Sequence, residues 1–215
     1  MPGKFITFEG PDGAGKTTQM KLAGERLADR GYRIIYTREP GGTPISEKIR
    51  QILLDPANSE MNYKTEALLY AAARAQHVEQ LIRPEVKSGK VVLCDRFTDS
   101  TMAYQGFGRG INSELLRLVN DMAVGDMIPD LTVILDLNPE AGLNRITDTR
   151  SGQGAGKDRI ERENLDFHCR VRDGFLNLAG ENPQRYRVIP ADRSIEEVAG
   201  DVWRCLQEVF GFENS

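Results

Sequence analysis

The chain has 215 residues, 40% of them apolar and 28% charged, with a formal net charge of −4 at neutral pH. That length holds one sizeable hydrophobic core and predicts a single domain over 1–215, and the balance excludes a disordered, fibrous or disulfide-stapled chain. The slightly acidic charge gives no broad footprint for duplex nucleic acid or an anionic membrane, while local arginine clusters remain able to bind a small anion.

The first apolar run, KFITFE (4–9), predicts a β-strand and is too short for a secretory signal; no run of about 18 apolar residues follows anywhere. Directly after it stands Gly10-Pro11-Asp12-Gly13-Ala14-Gly15-Lys16-Thr17, a full match to G-x-x-x-x-G-K-[ST], and then a helical pattern from Lys16 to Arg30. Strand, glycine-rich turn and helix in that order are the context in which backbone amides and a helix N-terminus cradle phosphate oxygens. Lys16 then reaches the β- and γ-phosphates, Thr17 offers a hydroxyl to Mg²⁺, and Thr18 lies beside them. The chain is therefore expected to bind a nucleoside triphosphate.

A second strand, YRIIYT (32–37), ends in TREPGGT (37–43), and helical patterns follow over Pro44 to Leu54 and Thr65 to Lys87. The third strand, KVVLCD (90–95), ends in DRFTDSTMAYQG (95–106). Ser113 to Val124 reads as a helix whose Leu115, Leu118, Val119 and Met122 form one buried stripe at i, i+3, i+4 and i+7. Strands LTVILDL (131–137) and RYRVIP (185–190) and helices Pro139 to Thr149, Asn164 to Ala179 and Ile195 to Phe210 complete the pattern. In the last helix Val198, Val202, Cys205, Leu206 and Val209 form the buried stripe, with Trp203 as packing. Strands alternating with helices predict an α/β fold with a five-stranded parallel sheet, and the near-continuous apolar third and fourth strands predict helices on both faces.

Ligands of open α/β sheets sit beyond the carboxyl ends of the strands, where TREPGGT and DRFTDSTMAYQG concentrate charge. A guanine-binding N-K-x-D signature is excluded, because the sequence contains no Asn-Lys pair. Cys94, Cys169 and Cys205 form no CxxC or Cys/His pattern with the two histidines, which predicts reduced thiols in a cytoplasmic protein.

EGPDGAGKTT, TREPGGT, LLYAAARAQH, DRFTDSTMAYQG, DRIE and VIPA occur in the order and spacing of the bacterial thymidylate kinases, which the chain resembles over nearly its whole length. The resemblance implies a P-loop fold, Mg-ATP and dTMP as partners, and a homodimer. It places Arg96 on the acceptor phosphate, with Arg50 as a second ligand, and Asp95 on Mg²⁺ or its water shell. Tyr70 stacks on thymine, standing where phenylalanine is commoner; Arg74 bonds the carbonyl edge, and Thr101 and Gln105 read the ring nitrogen and neighbouring oxygen. Asp12 takes the 3′-hydroxyl, Tyr104 crowds a ribose 2′-hydroxyl, and Glu39 lies near the reacting phosphates or braces its loop, as does Arg38. Ala191 sets its backbone against adenine.

GAGK recurs at Gly154 to Lys157, but Ser151 replaces the first glycine, Asp158 the Ser/Thr, and a helix rather than a strand precedes it. By resemblance this is a lid over ATP, at about 149–158. Ala14 stands where some members carry a phosphate-loop arginine, so the lid is expected to supply the charge: Arg150 first, then Lys157, Arg145 or Arg159, the last with Asp158 and Glu161 as structural partners.

Overall fold

The computed structural model describes residues 3–150 and 157–212, with Thr149 and Arg150 described in backbone only. Five parallel strands, β1 (Lys4–Glu9), β2 (Ile34–Arg38), β3 (Val91–Asp95), β4 (Leu131–Asp136) and β5 (Tyr186–Pro190), form one sheet in the order β2-β3-β1-β4-β5. Pairing runs in register from Lys4 opposite Val91 to Phe8 opposite Asp95, and from Thr132 opposite Tyr186 to Asp136 opposite Pro190. All five strands therefore discharge their carboxyl ends along one edge. β2 begins two residues later than its apolar pattern, since Tyr32 leaves the sheet to pack on Phe210 and Phe212.

Side chains alternate across the sheet with period two. Ile6, Phe8, Val91, Leu93, Val133 and Leu135 face one way, onto α1 (Lys16–Ala28) and α9 (Ile195–Phe210) through Met20, Leu27, Val198, Val202 and Leu206. On the opposite face Phe5, Val92 and Cys94 meet Val78, Ile82, Ala123 and Val124, and Ile134 and Tyr186 meet Phe167, Val171, Phe175 and Leu178. The sheet is thus covered on both sides, as its strand composition requires.

The intervening helices are α2 (Pro44–Leu54), α3 (Tyr63–His77), α4 (Arg83–Lys87), α5 (Thr98–Thr101), α6 (Ser113–Val124), α7 (Pro139–Arg150) and α8 (Leu165–Glu181). Thr43 caps α2 by accepting from the Ser46 amide at 3.3 Å with Pro44 at the first position, and Ser194 and Glu197 form a capping box on α9. The pattern from Thr65 to Lys87 is helical throughout but not uniform: a π-helical turn over Val78–Ile82 joins α3 to α4. Pro84 lacks the amide that Gln80 would bond in a regular helix, and the wider turn absorbs that loss. Sequence periodicity missed α5 and its π-helical continuation Met102–Gly108 altogether.

The stripe assigned to α6 is corrected. Leu115, Leu118 and Met122 are 59%, 66% and 91% exposed, whereas Leu116, Asn120, Ala123 and Val124 face inward. The spacing identified an apolar face, but the helix has two, and the inner one includes an asparagine. The expected lid falls outside the described residues except for its ends.

Candidate active site

The loop after β1 passes into α1 at Gly15, whose φ of +90° suits a residue without Cβ, and no side chain caps the helix. Its first amides are left pointing outward, the arrangement that binds anions. Gly13 has φ +75°, and a Cβ there would sit 2.2 Å from the Gly142 carbonyl oxygen at the start of α7. Any side chain would therefore push the loop off α7. Ala14, by contrast, is buried in the core cluster. Lys16 is also buried and donates to the carbonyls of Gly10 at 3.1 Å and Pro11 at 2.8 Å. Burial and the neighbouring Arg96 push its ammonium down to about 8, against Asp95, Asp12 and Glu9.

Two cavities meet at this loop. One, of about 710 Å³, is lined by Gly13, Ala14, Gly15, Lys16, Thr17, Thr18 and Gln19 with Arg145, Ile146, Ala191 and Arg193. Ala191 lines it with its main chain committed: its amide donates to Asp136 at 2.8 Å and its carbonyl accepts from Arg145 at 3.3 Å. Gly10 and Pro11 lie behind, and Asp12 faces the other cavity.

That second cavity, about 330 Å³, brings together every residue expected at the acceptor site: Asp12, Glu39, Arg50, Tyr70, Arg74, Arg96, Thr101, Tyr104 and Gln105. They come from β-strand ends, α2, α3 and the 98–108 helix, and Lys16, Thr17 and Ile146 line both cavities. The volume is at the small end of ligand pockets.

Arg96 has φ +74°, the left-handed conformation, and its turn is held by its amide on Phe8 O at 2.9 Å and by Cys94 Sγ donating to its carbonyl at 3.1 Å. Glu9 braces the following turn, accepting from the Phe97 amide at 2.7 Å and the Ser100 hydroxyl at 2.6 Å. Burial, then the nearby Asp99 carboxylate, push Glu9 up from the ordinary carboxylate range. The Arg96 guanidinium reaches Asp12 Oδ1 at 2.6 Å, Gly10 O at 3.1 Å and Ser100 Oγ at 3.2 Å, lying over the Tyr104 ring. Asp12 also accepts the Tyr104 hydroxyl at 2.8 Å. Burial opposes its charge, but Arg96, Lys16 and the Tyr104 hydroxyl hold Asp12 below its usual value. Thr17 Oγ1 donates to Asp95 Oδ2 at 2.5 Å. A hydroxyl and a carboxylate oxygen are hard donors suited to Mg²⁺, which takes few protein ligands alongside water and phosphate.

Arg74 is almost wholly buried. Its Nε donates to Glu39 at 2.7 Å, Nη1 to Thr101 at 3.0 Å and Asn120 at 2.6 Å, and Nη2 to Phe97 O at 3.0 Å. Glu39 is spent on this arginine and on His77 Nδ1 at 3.0 Å, so it braces the loop. Arg38 makes a two-pronged pair with Glu47 at 2.7 and 3.1 Å, and Arg50 donates to Pro40 O at 2.9 Å; both border the cavity. Burial raises the Tyr70 hydroxyl above the usual range, so it stays neutral. Arg159 departs from expectation: it bonds Leu53 O at 2.9 Å and Glu66 at 2.5 Å rather than Asp158 or Glu161, and lines neither cavity. Its neighbours use each other, the Asp158 carboxylate accepting from the amides of Ile160 and Glu161 at 2.9 Å. Lys157 is exposed, and the side chain of Arg150 lies outside the described residues. Sequence reasoning missed Glu9, Glu66 and Asn120, whose partners are remote in the chain, and Ser100, which links remote Glu9 to nearby Arg96.

A family model described as thymidylate kinase matches residues 8–202. Among curated relatives, a thymidylate kinase of Pelotomaculum thermopropionicum is 55% identical over 97% of this chain and 95% of its own length. One of Symbiobacterium thermophilum is 51% identical over 95% and 93%. The crystal structure of thymidylate kinase from Ehrlichia chaffeensis superposes with a TM-score of 0.77 at 37% identity, covering 96% of this chain and 100% of that one.

Proposed function

The chain belongs to the thymidylate kinase family and phosphorylates dTMP to dTDP with ATP as donor, a step toward dTTP for DNA replication, and we propose that its two cavities divide this reaction between them. The carrying observation is that the two cavities meet at Lys16 and Thr17 of one phosphate loop, with Tyr70, Arg74, Thr101 and Gln105 lining one and Gly13 to Thr18 lining the other.

On the donor side the amides of Gly13 to Thr18 and Lys16 hold the ATP phosphates, and Ala191 borders adenine. Thr17 and Asp95 would hold Mg²⁺, directly or through water, and the bound ion would supply charge neutralisation to the phosphates. On the acceptor side Arg96, assisted by Arg50, binds the dTMP phosphate; Tyr70 stacks on the base, and Arg74, Thr101 and Gln105 take its polar edge. Asp12 takes the 3′-hydroxyl, and the Tyr104 ring excludes a 2′-hydroxyl. Transfer between two anions needs convergent cations and in-line oxygens, which this arrangement supports without a covalent enzyme intermediate.

The lid belongs to the same reading: Arg150 stabilises the transferring group as the lid closes and water is excluded. Arg150→Ala should lower kcat far more than it raises KM for ATP, and unchanged turnover removes it from the mechanism. A homodimer is supported by the exposed apolar stripe of α6. The cytoplasmic setting is supported by three free thiols, and no described helix is long and apolar enough to cross a membrane. A monophosphate panel in a coupled ADP assay tests the assignment, with dTMP preferred, and turnover lost with EDTA. Preference for dCMP or AMP would overturn it.

A further inference from the structure

Glu66 of α3 lies wholly buried behind the acceptor cavity and does not line it. Its Oε1 accepts from Gln105 Nε2 at 2.7 Å and Arg109 Nε at 3.3 Å, and its Oε2 from Arg109 Nη2 at 3.2 Å and Arg159 Nη1 at 2.5 Å. Burial works against the charge, but the bonds from Arg109 and Gln105 and the Arg159 cation keep the carboxyl below its ordinary value. It is therefore an acceptor and nothing else.

An amide facing such a group has one choice. Gln105 must turn its NH₂ to Glu66, and its carbonyl oxygen becomes the end available to the cavity that it lines. The neighbouring polar groups can donate to a ligand. Thr101 Oγ1 accepts from Arg74, which has no acceptor of its own, so the Thr101 hydroxyl keeps its proton to offer a ligand, along with its second lone pair. Four of the five Arg74 N–H groups go to Glu39, Thr101, Asn120 and Phe97, leaving another donor. The wall thus presents donors at Arg74 and Thr101 and an acceptor at Gln105.

We propose that Glu66 is a positioning residue that sets the hydrogen-bond polarity of Gln105, and so selects a pyrimidine whose ring nitrogen carries a proton over cytosine. Thymine and uracil offer a carbonyl beside a protonated ring nitrogen, whereas cytosine offers an amine beside a bare one. A cytosine ring against this wall sets lone pair against lone pair at Gln105, a mismatch that costs more than a missing bond because neither group reaches water. Arg109 and Arg159 serve the same end by keeping Glu66 ionised.

The inference rests on the thymidylate reading of the cavity. Wild-type turnover of dTMP tests that reading, and comparison between variants tests Glu66. In Glu66→Gln the partner can both donate and accept, so Gln105 is free to invert. The ratio of kcat/KM for dTMP to that for dCMP should fall about tenfold or more, carried mainly by KM. Should loss of the anion between two arginines prevent folding, Glu66→Asp keeps the charge while withdrawing it from Gln105, and the same fall in ratio is expected. A merely structural role would lower both values by one factor; an unchanged ratio in a folded variant overturns the proposal.

Discussion

Arg96 is the sole described non-glycine residue with positive φ, and replacing it by alanine and by glycine separates what its backbone does from what its guanidinium does. Both substitutions delete the same contacts, to Asp12, Gly10 O and Ser100, so those losses cancel in the comparison. Alanine keeps the left-handed cost of about 1–2 kcal/mol, which glycine avoids while losing about 0.5–1 kcal/mol more chain entropy. The glycine variant should be the more stable by about 1 kcal/mol, or about 2–4 °C in Tm for a chain of this size. Charged hydrogen bonds are worth about 1.5–3 kcal/mol each, so both variants should lose about 100-fold or more in kcat/KM for dTMP. Thermal denaturation and the coupled ADP assay read the two parts. An alanine variant as stable as the glycine one refutes an imposed left-handed turn, and kcat/KM within about threefold of wild type refutes the phosphate role.

Tyr104→Phe removes the hydroxyl from Asp12 but keeps the ring, so it should cost about 1–2 kcal/mol of stability and raise KM for dTMP without relaxing preference for the deoxy sugar. Comparing dTMP with its ribo counterpart checks this, and lost preference would show that the hydroxyl reads the sugar. Glu9→Gln addresses pH. With its folded pKa raised by burial and Asp99, wild-type Glu9 keeps a proton that the unfolded chain releases near 4.5, so its stability contribution is complete below that value and is lost as pH rises toward the folded pKa. The variant's Tm should fall less than wild type's from pH 5 to 9, and parallel curves would contradict the raised pKa. Leu118→Glu places charge on the exposed α6 stripe and should give a monomer in light scattering, with an unchanged mass counting against that face.

The phosphate loop was legible because its chemistry is local: strand, glycines, lysine and threonine adjoin in sequence, and the fold only has to leave them so. The acceptor side was legible in composition, since each residue carried over by resemblance lines one cavity, yet not in wiring. Arg74 looked like a ligand contact and proves mostly committed to Glu39, Asn120, Thr101 and Phe97. Arg159, in the turn before α8, was paired with its sequence neighbours when its partner is Glu66, on α3. Such choices depend on which distant carboxylate is buried nearby, and no period or motif encodes that. The helical stretch at 98–108 was missed because Gly106 and Gly108 and its π-helical turn break the 3.6-residue rhythm. On α6 the rhythm was present and described the outer face.

Lys16, Thr17 and Ile146 form a party wall between the two cavities. Thermodynamic linkage then ties the tenants together: whatever factor one nucleotide imposes on the other's equilibrium affinity must be returned unchanged. A substitution in that wall alters this shared coupling as well as either Kd, and half a binding study, made with one nucleotide alone, would measure only one side of the square.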